Sequence, residues 1–217
     1  MDDKMFLDRR HAGRLLGEAV ARTGETVDRV LAIPNGGVVV GYEVAKKLGV
    51  DLGVVVVRKI PIPWNTEAGF GAVDPDGEVV LNKPLLDRLS LTGEEMERLV
   101  LHVKKGIDER VGKYGGIPNV NGKTAVIVDD GIASGVTMVA TCIYVRRKGA
   151  GRIIAAAPVA PLHSLELVKG YADHVVVLKV VDAAMFAVAD HYENWYDVPD
   201  EEVLQYLKES RGGEGKL

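Results

Sequence analysis

Cysteine occurs once in the chain, at Cys142, so no intrachain disulfide can form and a disulfide-stapled scaffold is excluded. Neither sign of charge dominates. Lys and Arg number 27 against 31 Asp and Glu, a net charge of −4 spread along the sequence, and nothing indicates a surface for nucleic acid or membrane. Long apolar runs are missing too. The longest, such as Val54–Val57 and Val175–Leu178, are strand-sized and far short of the ~20 residues that cross a bilayer. The opening MDDKMFLDRR is charged and lacks the apolar core of a signal peptide, so the expected location is cytoplasmic. Asn and Gln are few beside many Lys and Glu, a composition that hints at a heat-tolerant source.

What is present suits a soluble globular enzyme. Hydrophobic residues make up 47% and charged residues 27%, enough apolar material for a sizeable core. At about 150 residues per domain, 217 residues suggest one core with an elaboration. Buried-strand patterns fall at Val30–Ile33, Gly53–Val57, Thr124–Val128, Arg152–Ala157 and His174–Lys179. Helical periods fall at Arg9–Ala21, Val38–Leu48, Thr92–Val111, Thr137–Lys148, Leu162–Gly170 and Asp200–Glu209, and Thr92 with Glu95 has capping-box spacing. Alternation of the two predicts an α/β fold, a mainly parallel, doubly wound sheet with a small hood or cap. Two stretches break the rhythm. Residues 60–82 carry Pro61, Pro63 and Pro75 and predict a hairpin of Gly71–Val73 with Glu78–Leu81 around Asp76-Gly77. Residues 182–199 concentrate aromatics and predict a hood. One domain over 1–217 is expected: a core from about 24–59 and 120–181, an insert at 60–119, a hood from 1–23 and 182–210, and a frayed tail at 211–217.

The most informative stretch is Ala125–Met138, AVIVDDGIASGVTM. A buried strand runs into two acids, then a small-residue turn, then a helix. In open α/β sheets, ligands bind beyond the carboxyl ends of the strands, where this turn would sit. Successive amides of Gly131, Ile132, Ala133, Ser134, Gly135, Val136 and Thr137 can wrap a phosphate, helped by the helix dipole and by the Ser134 and Thr137 hydroxyls. Asp129 and Asp130 suit vicinal hydroxyls or a hydrated cation. The plainer alternative is that both acids only cap a strand-to-helix turn. The spacing is neither a P-loop nor a nucleophile elbow.

VIVDDGIASGVT resembles the phosphoribosyl-pyrophosphate (PRPP) signature of type I phosphoribosyltransferases. The resemblance implies that Asp129 and Asp130 meet the ribose 2- and 3-hydroxyls, directly or through Mg²⁺ brought with the substrate, and that Ala133 to Thr137 hold the 5-phosphate. Pro34-Asn35-Gly36-Gly37 is similar to the family's pyrophosphate loop, and Arg58-Lys59 to the basic pair that orotate-type enzymes place on pyrophosphate. Tyr114-Gly115-Gly116 is similar to the base of the mobile catalytic loop, which implies a catalytic role for Tyr114, and Asn121-Gly122-Lys123 to the turn after that loop. The chain is most similar to predicted phosphoribosyltransferases of uncertain substrate, sharing P-x-G-G-V, RKI, Y-x-G-G and an aromatic closing stretch at Tyr192–Tyr196. It departs from that group at Asn35, where arginine is usual.

The implied activity joins a nitrogen acceptor to C1 of PRPP with loss of pyrophosphate. Ala133 stands where hypoxanthine-guanine enzymes carry an aspartate, whereas adenine enzymes carry alanine followed by T-G-G-T-M, so a purine of the adenine type is slightly favoured. Phe186, Tyr192 or Trp195 could stack on a flat base, the alternative being hood packing. The five histidines show no metal-ligand spacing. Two other readings compete. One is a PRPP- or nucleotide-sensing protein that keeps the pocket and lacks turnover. The other is hydrolysis through Ser134, for which no histidine–acid partnership is visible. Dimerisation is expected from the resemblance alone.

Overall fold

The computed structural model describes residues 5–63, 65–183 and 186–211. α1 (Arg9–Ala21) begins where the Asp8 carboxylate accepts the His11 N–H at 2.7 Å. β1 (Arg29–Ala32), α2 (Gly36–Leu48) and β2 (Leu52–Val54) follow. A smaller group comes next: β3 (Arg58–Ile62), β4 (Asn65–Val73), β5 (Val79–Leu81), α3 (Lys83–Leu86) and the long α4 (Gly93–Tyr114). Then the strand–helix rhythm resumes with β6 (Thr124–Val128), α5 (Val136–Arg147), β7 (Arg152–Pro161), α6 (Leu162–Lys169), β8 (His174–Val181) and α7 (Asp200–Arg211).

Five strands form one sheet in the order β2-β1-β6-β7-β8, parallel throughout. Successive side chains of a strand face opposite ways, and both faces are covered. Val30, Val126 and Ile154 lie in register and pack toward Leu16, Val40 and Val203 of α1, α2 and α7. Their neighbours Leu31, Ile127 and Ile153 pack the other way, against Met138, Val139 and Cys142 of α5. Each buried aliphatic side chain contributes roughly 1.5–3 kcal/mol relative to exposure, so the doubly wound form follows from strands apolar on both faces. Cys142 lies in this second core, where burial pushes its thiol up to about 12.

Several boundaries differ from those expected. The strand predicted at Gly53–Val57 stops pairing at Val54, because the chain peels off toward a second sheet, with Val57 N–H donating to Val55 O. Arg58 and Lys59 therefore open β3 of a three-stranded antiparallel sheet, β3-β4-β5, and do not close a strand of the main one. The hairpin around Asp76-Gly77 is present. Gly77 turns at φ +91°, Asp74 Oδ1 accepts the N–H groups of Asp76 and Glu78, and Arg147 of α5 clasps Asp74 and Asp76 at 2.9 and 2.7 Å. Thr92 and Glu95 cap α4 reciprocally, as their spacing predicts. β7 runs four residues beyond its predicted end, to Pro161, because β8 pairs with it as far as Val181. The N-terminal segment zips onto the aromatic stretch: Phe6 N–H donates to His191 O, and Glu193 N–H to Phe6 O. Of the tail expected to fray, only Arg211 is described, as the last residue of α7; residues 212–217 lie outside the described residues. Among the described residues, no helix is long and apolar enough to cross a membrane.

Candidate active site

The register of the main sheet assembles the site. Ala32 pairs with Val128, and Ile33 N–H donates to Val128 O at 2.9 Å, so the segments after β1 and β6 emerge side by side. One carries Asn35-Gly36-Gly37 into α2, the other Asp129-Asp130. Their backbones touch closely. A Cβ on Gly37 would sit 3.0 Å from Asp129 Cα, and one on Gly36 would overlap the Asp130 carboxylate. Glycine is required here by close approach. No side chain caps α2, and among the described residues nothing accepts from the N–H groups of Gly36 and Gly37. That helix end keeps unspent donors and a positive dipole. The Asn35 side chain faces elsewhere, donating to Val198 O at 2.8 Å and Asp200 Oδ1 at 3.1 Å.

The turn after the acids has a similar character. Among the described residues, no acceptor meets the N–H groups of Ala133 to Met138, and the first bond into α5 is from Val139 to Gly135 O. Gly135 takes φ +81°, a conformation that favours glycine. The buried Ser164 hydroxyl donates to Ala133 O at 2.5 Å and holds the turn in place. Ile132 departs from the phosphate role expected of the whole stretch. Its N–H is taken by Val159 O at 2.9 Å and its side chain is buried, whereas Val136 buries its side chain and keeps its N–H without an acceptor among the described residues. Gly131 answers a packing need, since a Cβ there would meet Val188 Cγ1 at 2.5 Å.

Two hollows share Lys59, Asp129 and Thr137 and form one groove. The first, of about 680 Å³, is bounded by the start of α2, both acids, Arg58, Lys59, His102 and Arg110. The second, of about 520 Å³, is bounded by the 131–135 turn, Met138, Pro161, His163 and Phe186. Carboxylates thus sit between two donor-rich walls. Burial, and next the charge of Asp130, pushes the Asp129 carboxyl well above the ordinary carboxylate range. Asp130 is ion-paired at 2.7 Å with Arg9 of α1, which is 5% exposed. Burial, then the Arg110 charge, lowers the Arg58 pKa from its ordinary value.

A family model of the phosphoribosyl transferase domain matches residues 5–193. The chain belongs to that family. Two Mycobacterium tuberculosis proteins described as "putative phosphoribosyl transferase" are 39% identical over 209 residues, which is 94% of this chain and 46% of theirs. The chain spans about half the length of these curated relatives. A crystal structure of TT1426 from Thermus thermophilus is similar at TM-score 0.75 and 39% identity, over 94% of this chain and 98% of that one.

This phosphoribosyl transferase domain departs from its own sequence signals in the hood and in α4. Tyr192 offers no stacking face. It is 1% exposed, its ring lies against Phe6 with centroids 5.4 Å apart, and its hydroxyl donates to Asp130 O at 2.6 Å. Trp195 is covered on one face by the Arg9 guanidinium, 3.7 Å from the ring centroid, and does not line the groove. Phe186 does line it, stacked on His191. Tyr114 stands where α4 gives way to the irregular segment 115–120. It ends the 22-residue α4, is buried, and donates to Asp200 at 2.5 Å. Burial and Asp200 push its phenol up to about 12.

Asp200 is a structural hub. Lys113, then Tyr114, hold it well below the ordinary carboxylate range, and Asn35 adds a third contact. A depressed folded-state pKa means this stabilisation is present above about pH 4 and is lost as pH falls through the folded-state value. Tyr114→Phe is expected to lower unfolding free energy in urea by about 1–2 kcal/mol. PRPP turnover in that variant should stay within about tenfold of the parent, and a loss of several orders would restore Tyr114 to the catalytic machinery.

Arg9 and Arg110 were not legible as site residues. Arg9 meets an acid 121 positions away, a contact without local signal. Arg110 carried a faint one. Val103, Ile107 and Tyr114 form the buried stripe of α4, and Arg110 stands on that stripe at helical spacing.

Proposed function

We propose that this domain transfers the 5-phosphoribosyl group of PRPP to a ring nitrogen of a flat base, a purine foremost, and releases pyrophosphate. The observation that carries this reading is the order of groups along one groove: unspent α2 amides with Arg58 and Lys59, then two acids, then the free amides of Ala133 to Thr137. PRPP has the matching order of pyrophosphate, ribose hydroxyls and 5-phosphate.

In this arrangement the 133–137 turn anchors the 5-phosphate. Asp130, tied to Arg9 through one oxygen, keeps the other for a ribose hydroxyl. As the C1–O bond breaks, positive charge grows on the sugar and negative charge on the leaving group. Arg58, Lys59 and the α2 N-terminus lie where they would stabilise that leaving group without reorganisation. Phe186, Met138 and Pro161 supply an apolar wall for the base beside the phosphate turn. Among the described residues no three His, Cys, Asp or Glu side chains converge as a metal site. Asp129 still fits a Mg²⁺ carried by substrate oxygens, because one carboxylate oxygen accepts from Asp130 N–H and the other remains. When bound, the ion would offset phosphate charge.

The test is Mg²⁺-dependent pyrophosphate release from PRPP across purine and pyrimidine bases, with Asp129→Asn plus Asp130→Asn as control. Release with one base, lost in the control, is the expected result. PRPP binding by calorimetry without release from any base would replace transfer by a sensing role. Absence of PRPP binding would overturn the reading.

A further inference from the structure

The helix expected over Thr92–Val111 is present as α4, a capped helix of 22 residues whose His102, Val103 and Arg110 line the groove. Within that helix stands Gly106, a residue that weakens helices by about 1 kcal/mol relative to alanine and so calls for a reason. The neighbour is Arg58. A Cβ at Gly106 would come within 2.6 Å of Arg58 Nη1, so the guanidinium from β3 lies across the helix at a point without a side chain. Arg110 follows one turn later on the same face, and helical side chains lean toward the N-terminus, over the turn where Arg58 rests.

Neither guanidinium is neutralised. Among the described residues Arg58 makes no salt bridge, and Arg110 reaches only Asp200 at 3.9 Å. That carboxylate already engages Lys113 at 2.7 Å, Tyr114 and Asn35. Asp130 of the same hollow is ion-paired with Arg9, so two neighbouring cations face the groove without a carboxylate of their own, an arrangement that suits an anion of more than one charge. Gly36, whose amide is unspent, bounds the same hollow.

We propose that Arg110 is a binding residue for the leaving diphosphate, paired with Arg58 on a preformed clamp, and that Gly106 is the seat that makes the pair possible. This rests on the phosphoribosyl transfer reading.

Calorimetric titration of the full chain with inorganic pyrophosphate plus Mg²⁺, and separately with ribose 5-phosphate, tests it. Arg110→Gln is expected to weaken pyrophosphate by about tenfold or more while ribose 5-phosphate stays within about twofold, because one charge-assisted contact is lost at one end of the groove only. Arg110→Lys should recover part of the loss. Gly106→Ala, which displaces Arg58 and leaves Arg110 in place, should weaken pyrophosphate in the same selective way. Unchanged pyrophosphate affinity in Arg110→Gln, with both ligands bound by the parent chain, overturns the clamp and leaves the transfer reading standing. Equal losses for both ligands in Arg110→Gln and Gly106→Ala would mark a general structural effect and also overturn it. A parent chain that binds neither ligand removes the transfer reading itself.

Discussion

Arg9→Met is expected to lower the unfolding free energy by about 3 kcal/mol and to abolish PRPP turnover together with it. Arg9 is 5% exposed, donates to Asp130 Oδ2 at 2.7 Å and to Tyr196 O at 2.8 Å, and stacks on Trp195. Its removal strands a carboxylate that is only 15% exposed and leaves Tyr196 O without its donor. Truncating one partner of such a pair costs far more than the pair itself contributes, because the other charge stays behind with little water. The explanation has its own check. Asp130→Asn combined with Arg9→Met should regain part of the lost stability, without regaining turnover. If Arg9→Met unfolds within about 0.5 kcal/mol of the parent, the contact is an ordinary surface pair and the account fails.

Gly36→Ala should also be severe, for a steric reason. The added methyl would overlap the Asp130 carboxylate and approach Arg9 Nε within 2.7 Å. The neighbour that must yield is an ion-paired side chain held on two sides, so relief requires moving either the start of α2 or the acid. Overpacking of this kind costs about 1–3 kcal/mol, and the displaced groups are those that the proposed transfer sets against the sugar and the leaving group. The expected result is PRPP turnover reduced by at least about a hundredfold with a lowered urea midpoint. Gly112→Ala provides the contrast. A Cβ at Gly112 meets nothing within 4 Å, so alanine in that α4 position should raise stability by about 0.5–1 kcal/mol through helix propensity. Should Gly36→Ala behave like Gly112→Ala, the close packing of the two loops is not a feature of the molecule.

The doubly wound core is legible in the chain alone. Strands such as Thr124–Val128 are apolar at nearly every position, so they must be buried on both faces, and the intervening periods supply helices to cover them. The turn after Asp129 and Asp130 is legible too, because two acids, small residues and a helix start are contiguous in the chain and need no distant partner to be recognised. Local chemistry was equally readable in the Thr92–Glu95 capping box and the Asp76-Gly77 hairpin.

Tertiary structure decided the rest. Tyr192 and Trp195 read as stacking candidates because an aromatic shows its surface in sequence and hides its neighbours. Burial against Phe6 and coverage by Arg9 removed both from the groove and left Phe186. Tyr114 moved from a predicted loop to a helix end for a similar reason: the stripe Val103–Ile107–Tyr114 found a core to bury against, and that packing carried the helix past its predicted end at Val111. Arg9 joins Asp130 across most of the chain because α1 packs against α2, β7 and β8, which brings its start to the end of β6 beside β7. Pairings of this kind are set by strand order and layer packing, which depend on free-energy differences summed over the whole core and leave no mark at the residues they bring together.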